Sequence, residues 1–160
     1  MTRSRVGLGF DVHPFSDQPD RTLVLGGVTL DGAPGLAGHS DADVIAHAVA
    51  DALLGAAGLG DLGSLFPDTD PAWQAADSSR LLAIVVGRVR GDGWSVANVD
   101  CSVVAEIPPL APHRAAMEQR LSEVVGAPVT VKPKRAEALG ALGRSEGIAC
   151  LAVALIEQPG

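Results

Sequence analysis

Apolar residues between Gly38 and Gly55 recur at helical spacing. At about 100° per residue, Val44, Ile45, Ala48, Val49, Ala52 and Leu53 share one broad apolar face. Ser40 reads as the N-cap of this helix, with Asp43 at the capping-box position. Asp41 and Asp43 place negative charge at the positive end of the helix dipole. Asp43, His47 and Asp51, at i, i+4 and i+8, form a narrow stripe on the other side. Two carboxylates and an imidazole suit metal or phosphate chemistry better than a solvated face of Lys, Glu and Arg would. The plainer alternative is a surface stripe with an incidental His.

The remaining pattern predicts a succession of short elements. Arg5 to Val12 reads as a strand that Pro14 stops, with Asp11 and His13 on one side of it. Thr22 to Leu30 reads as a hairpin turning at Gly26-Gly27, followed by a Gly- and Pro-rich loop to Gly38. Gly58 to Pro71 reads as a long shaped loop holding Asp61, Asp68 and Asp70; such loops are more often functional than connective. Asp77-Ser78 caps a second helix that runs to about Arg90 and buries Leu81, Leu82, Ile84, Val85 and Val89. Trp94 to Ala105 is a strand, and Pro108 to Pro112 a rigid loop leading into a helix that ends near Gly126. Val129 to Lys132 is a short strand, and Pro133 to Gly147 a second shaped loop. Ile148 to Ile156 is a closing strand, apolar enough to be covered on both faces. The order predicts an α+β single domain over residues 1–160: one mixed β-sheet with helices packed on one face. The other face then has to be covered by oligomerisation.

Composition narrows the classes. At 160 residues, 47% hydrophobic and 19% charged, the chain can bury a core of its own. A net charge of −7 with no basic run, three Phe, two Trp and no Tyr argues against nucleic acid as a partner. No stretch approaches about 18 unbroken apolar residues, and the N-terminus lacks a basic-then-apolar leader pattern, so the expectation is a cytoplasmic protein with no membrane partner. Cys101 and Cys150, alone in apolar strand-like runs, fit reduced core thiols.

Asp11, His13 and His47 amount to one carboxylate and two imidazoles, an ordinary ligand set for Zn²⁺ with the fourth position open. Lys132, Lys134, Arg135 and Arg144 are concentrated in the second shaped loop of an otherwise acidic chain. Clustered cations and Gly-rich loops suit a phosphorylated substrate.

Seven motifs then occur in order over nearly the whole chain. They are Gly9-Phe10-Asp11-Val12-His13, Leu25-Gly26-Gly27-Val28, the run from Ala37-Gly38-His39-Ser40-Asp41 through His47 to Asp51-Ala52-Leu53-Leu54-Gly55, Gly60-Asp61-Leu62-Gly63, Phe66 to Pro71, Asn98-Val99-Asp100, and Gly143 to Ala149. Together they resemble the 2-C-methyl-D-erythritol 2,4-cyclodiphosphate synthase family of the non-mevalonate isoprenoid pathway. The resemblance implies a homotrimer with an active site at each interface. It implies that 4-diphosphocytidyl-2-C-methyl-D-erythritol 2-phosphate is cyclised, with release of CMP. It implies Zn²⁺ on Asp11, His13 and His47, with Val12 between them in the substrate site, and Mg²⁺ or Mn²⁺ bridging the diphosphate with help from Glu137. His39 and Ser40 are implied to meet the attacking phosphate at a helix N-terminus, where anions are favoured. Asp61, Leu62, Gly63, Phe66, Pro67, Asp68, Thr69 and Asp70 are implied to line the methylerythritol pocket. Ala105, Glu106, Ile107, Pro108, Pro109, Leu110 and Ala111, with Lys134, Arg135, Ala136 and Glu137, are implied to form a cytidine and diphosphate pocket from the neighbouring subunit.

The chain departs from the family at four of these places. Arg135 and Ala136 stand where the family has two threonines, Pro109 replaces a lysine, and Ala141 replaces an aromatic residue. His39 and Arg135 are the residues expected to act on the reacting phosphates, Arg135 replacing a hydroxyl. Ala141 and Arg144 are also implied to be substrate-binding; the plainer alternative for Arg144 is an ion pair with Glu146 near the threefold axis. Two alternatives use the same ligands: a zinc hydrolase of a nucleoside diphosphate ester, which would activate water, and a non-catalytic metal-binding trimer.

Overall fold

Glycine alternates with apolar side chains in the first strand, and this sets the architecture. The computed structural model describes residues 1–160. Strand β1 (Thr2–Pro14) turns Val6, Leu8, Phe10 and Val12 outward, all of them exposed, and turns Gly7, Gly9, Asp11 and His13 toward the helices. Then come the hairpin β2 (Leu23–Leu25) and β3 (Val28–Leu30), helix α1 (Val44–Ala57) and the short α2 (Leu62–Leu65). After these follow α3 (Ser78–Gly91), β4 (Ser95–Val104), α4 (Arg114–Val125), β5 (Val129–Lys134), the single turn α5 (Gly140–Gly143) and β6 (Gly147–Pro159).

The main sheet has the order β1-β6-β4-β5; its first two pairings are antiparallel and the last is parallel, so it is mixed as expected. One core of 36 buried residues lies between this sheet and α1, α3 and α4. On β6 the inward side chains Cys150, Ala152, Ala154 and Ile156 are fully buried, while Leu151 and Val153 are 42% and 43% exposed. The closing strand is therefore covered on one face by its own chain. Its outward residues continue the apolar strip of β1 through the register Leu8 to Val153 and Phe10 to Leu151.

Helix α1 lies unusually close to β1. A Cβ at Gly7 would stand 1.9 Å from the Ala52 carbonyl oxygen, and one at Gly9 would stand 1.9 Å from that of Ala48. Ala48, Ala52, Ala56, Ala152 and Ala154, all fully buried, complete this thin contact. Bare glycine on the strand lets backbone meet backbone, which any side chain prevents.

The start of α1 corrects the sequence reading. Its N-cap is Asp43, whose side chain accepts the Ile45 and Ala46 amides; Ser40 lies outside the helix. Ala42 adopts φ +57°, a left-handed turn that breaks any helix running from Ser40. Asp43 is fully buried and belongs to no polar stripe. Its carboxylate also takes the Gly26 and Gly27 amides at 2.8 and 2.7 Å, so the cap ties the hairpin turn to the helix. Burial pushes its carboxyl up from the ordinary range against these amide bonds. The two shaped loops also contain α2, a 3₁₀ turn at Pro71–Trp73, and α5.

Two glycine substitutions should have opposite signs. Gly9→Ala forces a methyl into a backbone carbonyl and is expected to lower unfolding free energy by about 1–3 kcal/mol or more. Gly55→Ala, where a Cβ meets nothing within 4 Å on the exposed side of α1, is expected to raise it by about 0.5–1 kcal/mol. Urea titrations of both variants check this, and a neutral Gly9→Ala would contradict the close helix–strand contact.

Candidate active site

The C-terminal end of β1 and the first turn of α1 meet beneath a cavity of about 610 Å³. Asp11 and His13, two residues apart on the helix side of β1, are joined there by His47 from α1. His13 Nε2 lies 2.9 Å and His47 Nδ1 3.0 Å from Asp11 Oδ2, and the two ring nitrogens are 3.3 Å apart. His13 Nδ1 donates to the Ala37 carbonyl at 2.8 Å, which leaves Nε2 as the lone-pair nitrogen of the neutral ring. Ligand atoms from all three residues lie within 4.8 Å of one another. Lone pairs and a carboxylate packed this tightly need protons or a cation between them, and this donor set fits a divalent metal.

Without a metal, protons take that place. Burial alone would raise the carboxyl of Asp11, but hydrogen bonds from His13 and His47 outweigh it and hold the group far below the ordinary range. Burial alone would lower His13, but its bond to Asp11 and the Asp11 charge hold it above its ordinary value.

The loop before α1 carries His39 and Ser40 over the cavity. Arg21, which the sequence reading passed over, holds this strap: its guanidinium donates to the carbonyls of Leu36, of Gly38 at 3.1 Å and of Ser40 at 2.5 Å. His39 Nε2 meets the Asp70 carbonyl oxygen at 3.3 Å. The Ser40 hydroxyl accepts the Ala42 amide and lies 3.2 Å from His47 Nε2. Since α1 starts at Val44, neither His39 nor Ser40 sits at a helix N-terminus, which corrects the expected anion geometry.

Of the expected pocket residues, Leu62, Gly63, Phe66 and Asp68 line the cavity. Asp61 instead caps α2, bonded to the Ser64 amide and hydroxyl at 2.8 and 3.0 Å, and Asp70 caps the 3₁₀ turn through the Ala72 amide. Neither of them, nor Pro67 or Thr69, is among the lining residues. The Val12 side chain belongs to the outward face of the sheet. Trp73 and Leu81 were not expected there and do line the cavity, as do Phe10, Gly38 and Asp51, the last of these from the polar stripe read on α1. Trp73 stands edge-on to Phe66, ring centroids 4.8 Å apart, and Asp51 accepts the Leu62 amide at 3.1 Å. A tryptophan in a chain with five aromatic residues was the one available signal.

A second cavity of about 250 Å³ is lined by Ala105, Glu106, Pro108, Pro109, Leu110, Ala111, Pro133, Lys134 and Arg135. It shares no lining residue with the first. Ile107, Ala136 and Glu137 lie beside it without lining it. Glu137 is not among the three clustered donors. Arg135 is 70% exposed and reaches Glu106 at 3.3 Å. Arg144 pairs with Glu146 at 2.7 Å, and neither Arg144 nor Ala141 lines either cavity.

Fold and site together define an α+β protein in which three side chains, grouped as a divalent metal requires, open into a ligand-sized cavity. The chain belongs to the YgbB family, whose profile matches residues 4–157. It is 52% identical over 157 residues to the 2-C-methyl-D-erythritol 2,4-cyclodiphosphate synthase of Bordetella petrii, covering 96% of each chain. It is 50% identical over 159 residues to that of Synechococcus elongatus, covering 98% of each. Among solved structures it resembles the bifunctional IspDF of Campylobacter jejuni with a TM-score of 0.93 and 39% identity; the match covers 99% of this chain and 43% of that one. The CDP complex of Plasmodium falciparum IspF matches with a TM-score of 0.84 and 30% identity over 98% of this chain and 97% of that one. No helix of the structure is long and apolar enough to cross a membrane.

The metal-free cluster should give the protein an identifiable pH response. In the unfolded chain His13 titrates near 6.5; in the fold it holds its proton to higher pH. Its pairing with Asp11 therefore stabilises fully below that pH and is lost as pH rises through the folded value. Asp11, lowered in the fold from 3.8, adds stability that is present above 3.8 and is lost on acidification. With chelator present, thermal midpoints should fall as the pH is raised from 6.5, and His13→Gln should flatten that slope. An equal slope in the variant would contradict the pairing.

Proposed function

We propose that this chain cyclises 4-diphosphocytidyl-2-C-methyl-D-erythritol 2-phosphate to 2-C-methyl-D-erythritol 2,4-cyclodiphosphate and CMP. The observation that carries this reading is the Asp11-His13-His47 cluster at the floor of a cavity walled by His39, Phe66, Asp68 and Trp73. The relatives reported above bear the corresponding synthase name. A 2-phosphate oxygen bonds to the β-phosphorus, and the bond from that phosphorus to the bridging oxygen breaks. The bridging oxygen leaves on CMP, and an eight-membered ring closes. Attacker and leaving group belong to one molecule, so the main task of the protein is to hold them in line. Zn²⁺ on Asp11, His13 and His47, and Mg²⁺ or Mn²⁺ assisted by Glu137, would withdraw charge from the reacting phosphates. The chain's own groups do the rest: the Arg21-held strap sets His39 and Ser40 beside the attacking phosphate, and α2 with Phe66 and Trp73 excludes water from the erythritol carbons.

We further propose a homotrimer with interfacial sites. The outward strip Val6, Leu8, Phe10, Val12, Leu151 and Val153 is a continuous apolar surface of the kind that marks an interface. The two cavities share no residue within one chain, so a partner has to bring the second to the first. Buried free Cys101 and Cys150 support a reducing, cytoplasmic location; contact with Cys101 and burial push the Cys150 thiol up, away from reactive thiolate.

Incubation with substrate and metal, read by phosphorus NMR, tests the reaction. Cyclic diphosphate plus CMP is expected; linear hydrolysis products would favour the zinc-hydrolase reading, and no turnover the non-catalytic one. Light scattering should give three times the 16.3 kDa chain mass, and a stable monomer at micromolar concentration would exclude the shared site. Arg135 is proposed to leave Glu106 for the diphosphate when substrate binds, supplying paired donors in place of a hydroxyl. Arg135→Ala should then lower kcat roughly ten- to thousandfold. A kcat within about twofold would leave Arg135 as a surface residue.

A further inference from the structure

The His47 ring is held from both sides. Nδ1 faces Asp11 and His13, and Nε2 points the other way, to the first residue of α3. There the Ser78 hydroxyl oxygen stands 2.8 Å from Nε2. Ser78 is 1% exposed. Its hydroxyl also bonds to Asp41 Oδ1, and its backbone amide donates to Asp41 Oδ2 at 3.1 Å.

These contacts determine where each proton sits. A carboxylate only accepts, so the single proton of the Ser78 hydroxyl goes to Asp41. Ser78 then offers His47 nothing but lone pairs, and Nε2 has to be the N–H of the ring. A neutral imidazole carries one N–H, which leaves Nδ1 as the lone pair on the side of Asp11 and His13. Ser40, 3.2 Å from Nε2 and 3.4 Å from the Ser78 hydroxyl, closes the same buried group. The arrangement does for His47 what the Ala37 carbonyl does for His13.

We propose that Asp41 and Ser78 are positioning residues for the metal: the carboxylate–hydroxyl relay fixes His47 Nε2 as donor and Nδ1 as ligand. Neither residue touches the ion; both act through the ring, and the carboxylate at the far end of the relay makes the imidazole a better donor to a cation. This rests on the metal reading of the Asp11-His13-His47 cluster. It also gives α3 a part in the site, since the α3 N-terminus holds a ligand that belongs to α1.

The test measures zinc affinity by competition with a chromophoric chelator in wild type, Ser78→Ala, Asp41→Asn and Ser78→Thr. Loss of the relay should weaken zinc binding about 10–100-fold in Ser78→Ala and Asp41→Asn, the range for outer partners of ligating histidines. Ser78→Thr, which keeps the hydroxyl, should stay within about threefold of wild type. In zinc-loaded wild type, nitrogen-15 NMR of the histidines should show His47 bound through Nδ1, with a slowly exchanging proton on Nε2. A purely structural serine would change the thermal midpoint but not the proton on Nε2 or the rescue by threonine. An affinity within twofold in Ser78→Ala, or His47 bound through Nε2, overturns the relay. If Ser78→Ala does not fold, the NMR of wild type and the affinity of Ser78→Thr decide. Folded wild type that takes up no zinc overturns the metal reading itself; wild type and Ser78→Ala that bind zinc equally leave that reading standing and remove the relay alone.

Discussion

The site depends on how closely α1 lies against β1. With Gly7 and Gly9 under the Ala52 and Ala48 carbonyls, the helix backbone rests on the strand backbone without intervening side chains. One step further along β1 the same inward face carries Asp11 and His13. At that short separation a side chain as compact as an imidazole on α1 spans the gap, and His47 reaches Asp11 at 3.0 Å. A helix at an ordinary packing distance, with side chains between it and the strand, would leave His47 several ångströms short. The glycines are thus as much a part of the Asp11-His13-His47 cluster as its own side chains, though they contribute no atom to it.

Around this contact, buried polar groups hold segments that have no regular structure of their own. Asp43 caps α1 and at the same time binds the hairpin turn at Gly26-Gly27. Arg21 and His13 take the carbonyls of the strap from Leu36 to Ser40. Asp51 fastens the start of α2. Apart from the two local cap bonds of Asp43, these bonds join residues 11 to 24 positions apart, and they hold backbone in place near the cavity. Charged side chains satisfy carbonyls and amides of these loops, and their hydrogen bonds are stronger than neutral ones.

The second cavity is organised differently. Glu106 pairs with Arg135 and accepts the Ala138 amide, while Glu137 and Ala138 adopt φ of +55° and +60°. A left-handed pair without glycine is strained and persists only where its surroundings hold it; Glu106 is the group that does so here. Arg135 and Ala136 leave a loop tied by an ion pair, with an exposed cation at the edge of the cavity. The proposed trimer would bring that edge to the first cavity of a neighbour.

Sequence pattern determined the elements and the chemistry they could carry. Alternation on β1 put Asp11 and His13 on one side, and the α+β order, the hairpin and the second helix with its Asp77 cap all follow from local apolar spacing and turn residues. The ligand set was legible because D-x-H on a strand and His47 on a helix are local facts, and because a family resemblance joined them. Tertiary structure decided the rest. Ser40 looks like a cap by every local rule, yet a left-handed Ala42 and a buried Asp43 move the helix start, since Asp43 can satisfy the hairpin amides as well. Asp61 and Asp70 look like pocket carboxylates and prove to be caps. Arg21 and Trp73 carry no local signal, and Asp41 and Ser78 read locally as helix-terminus residues, because the partners that give all four their place in the site lie elsewhere in the chain. Spacing reports which residues share a face; it does not report which distant carbonyl, amide or ring that face meets, and the site is made from those meetings.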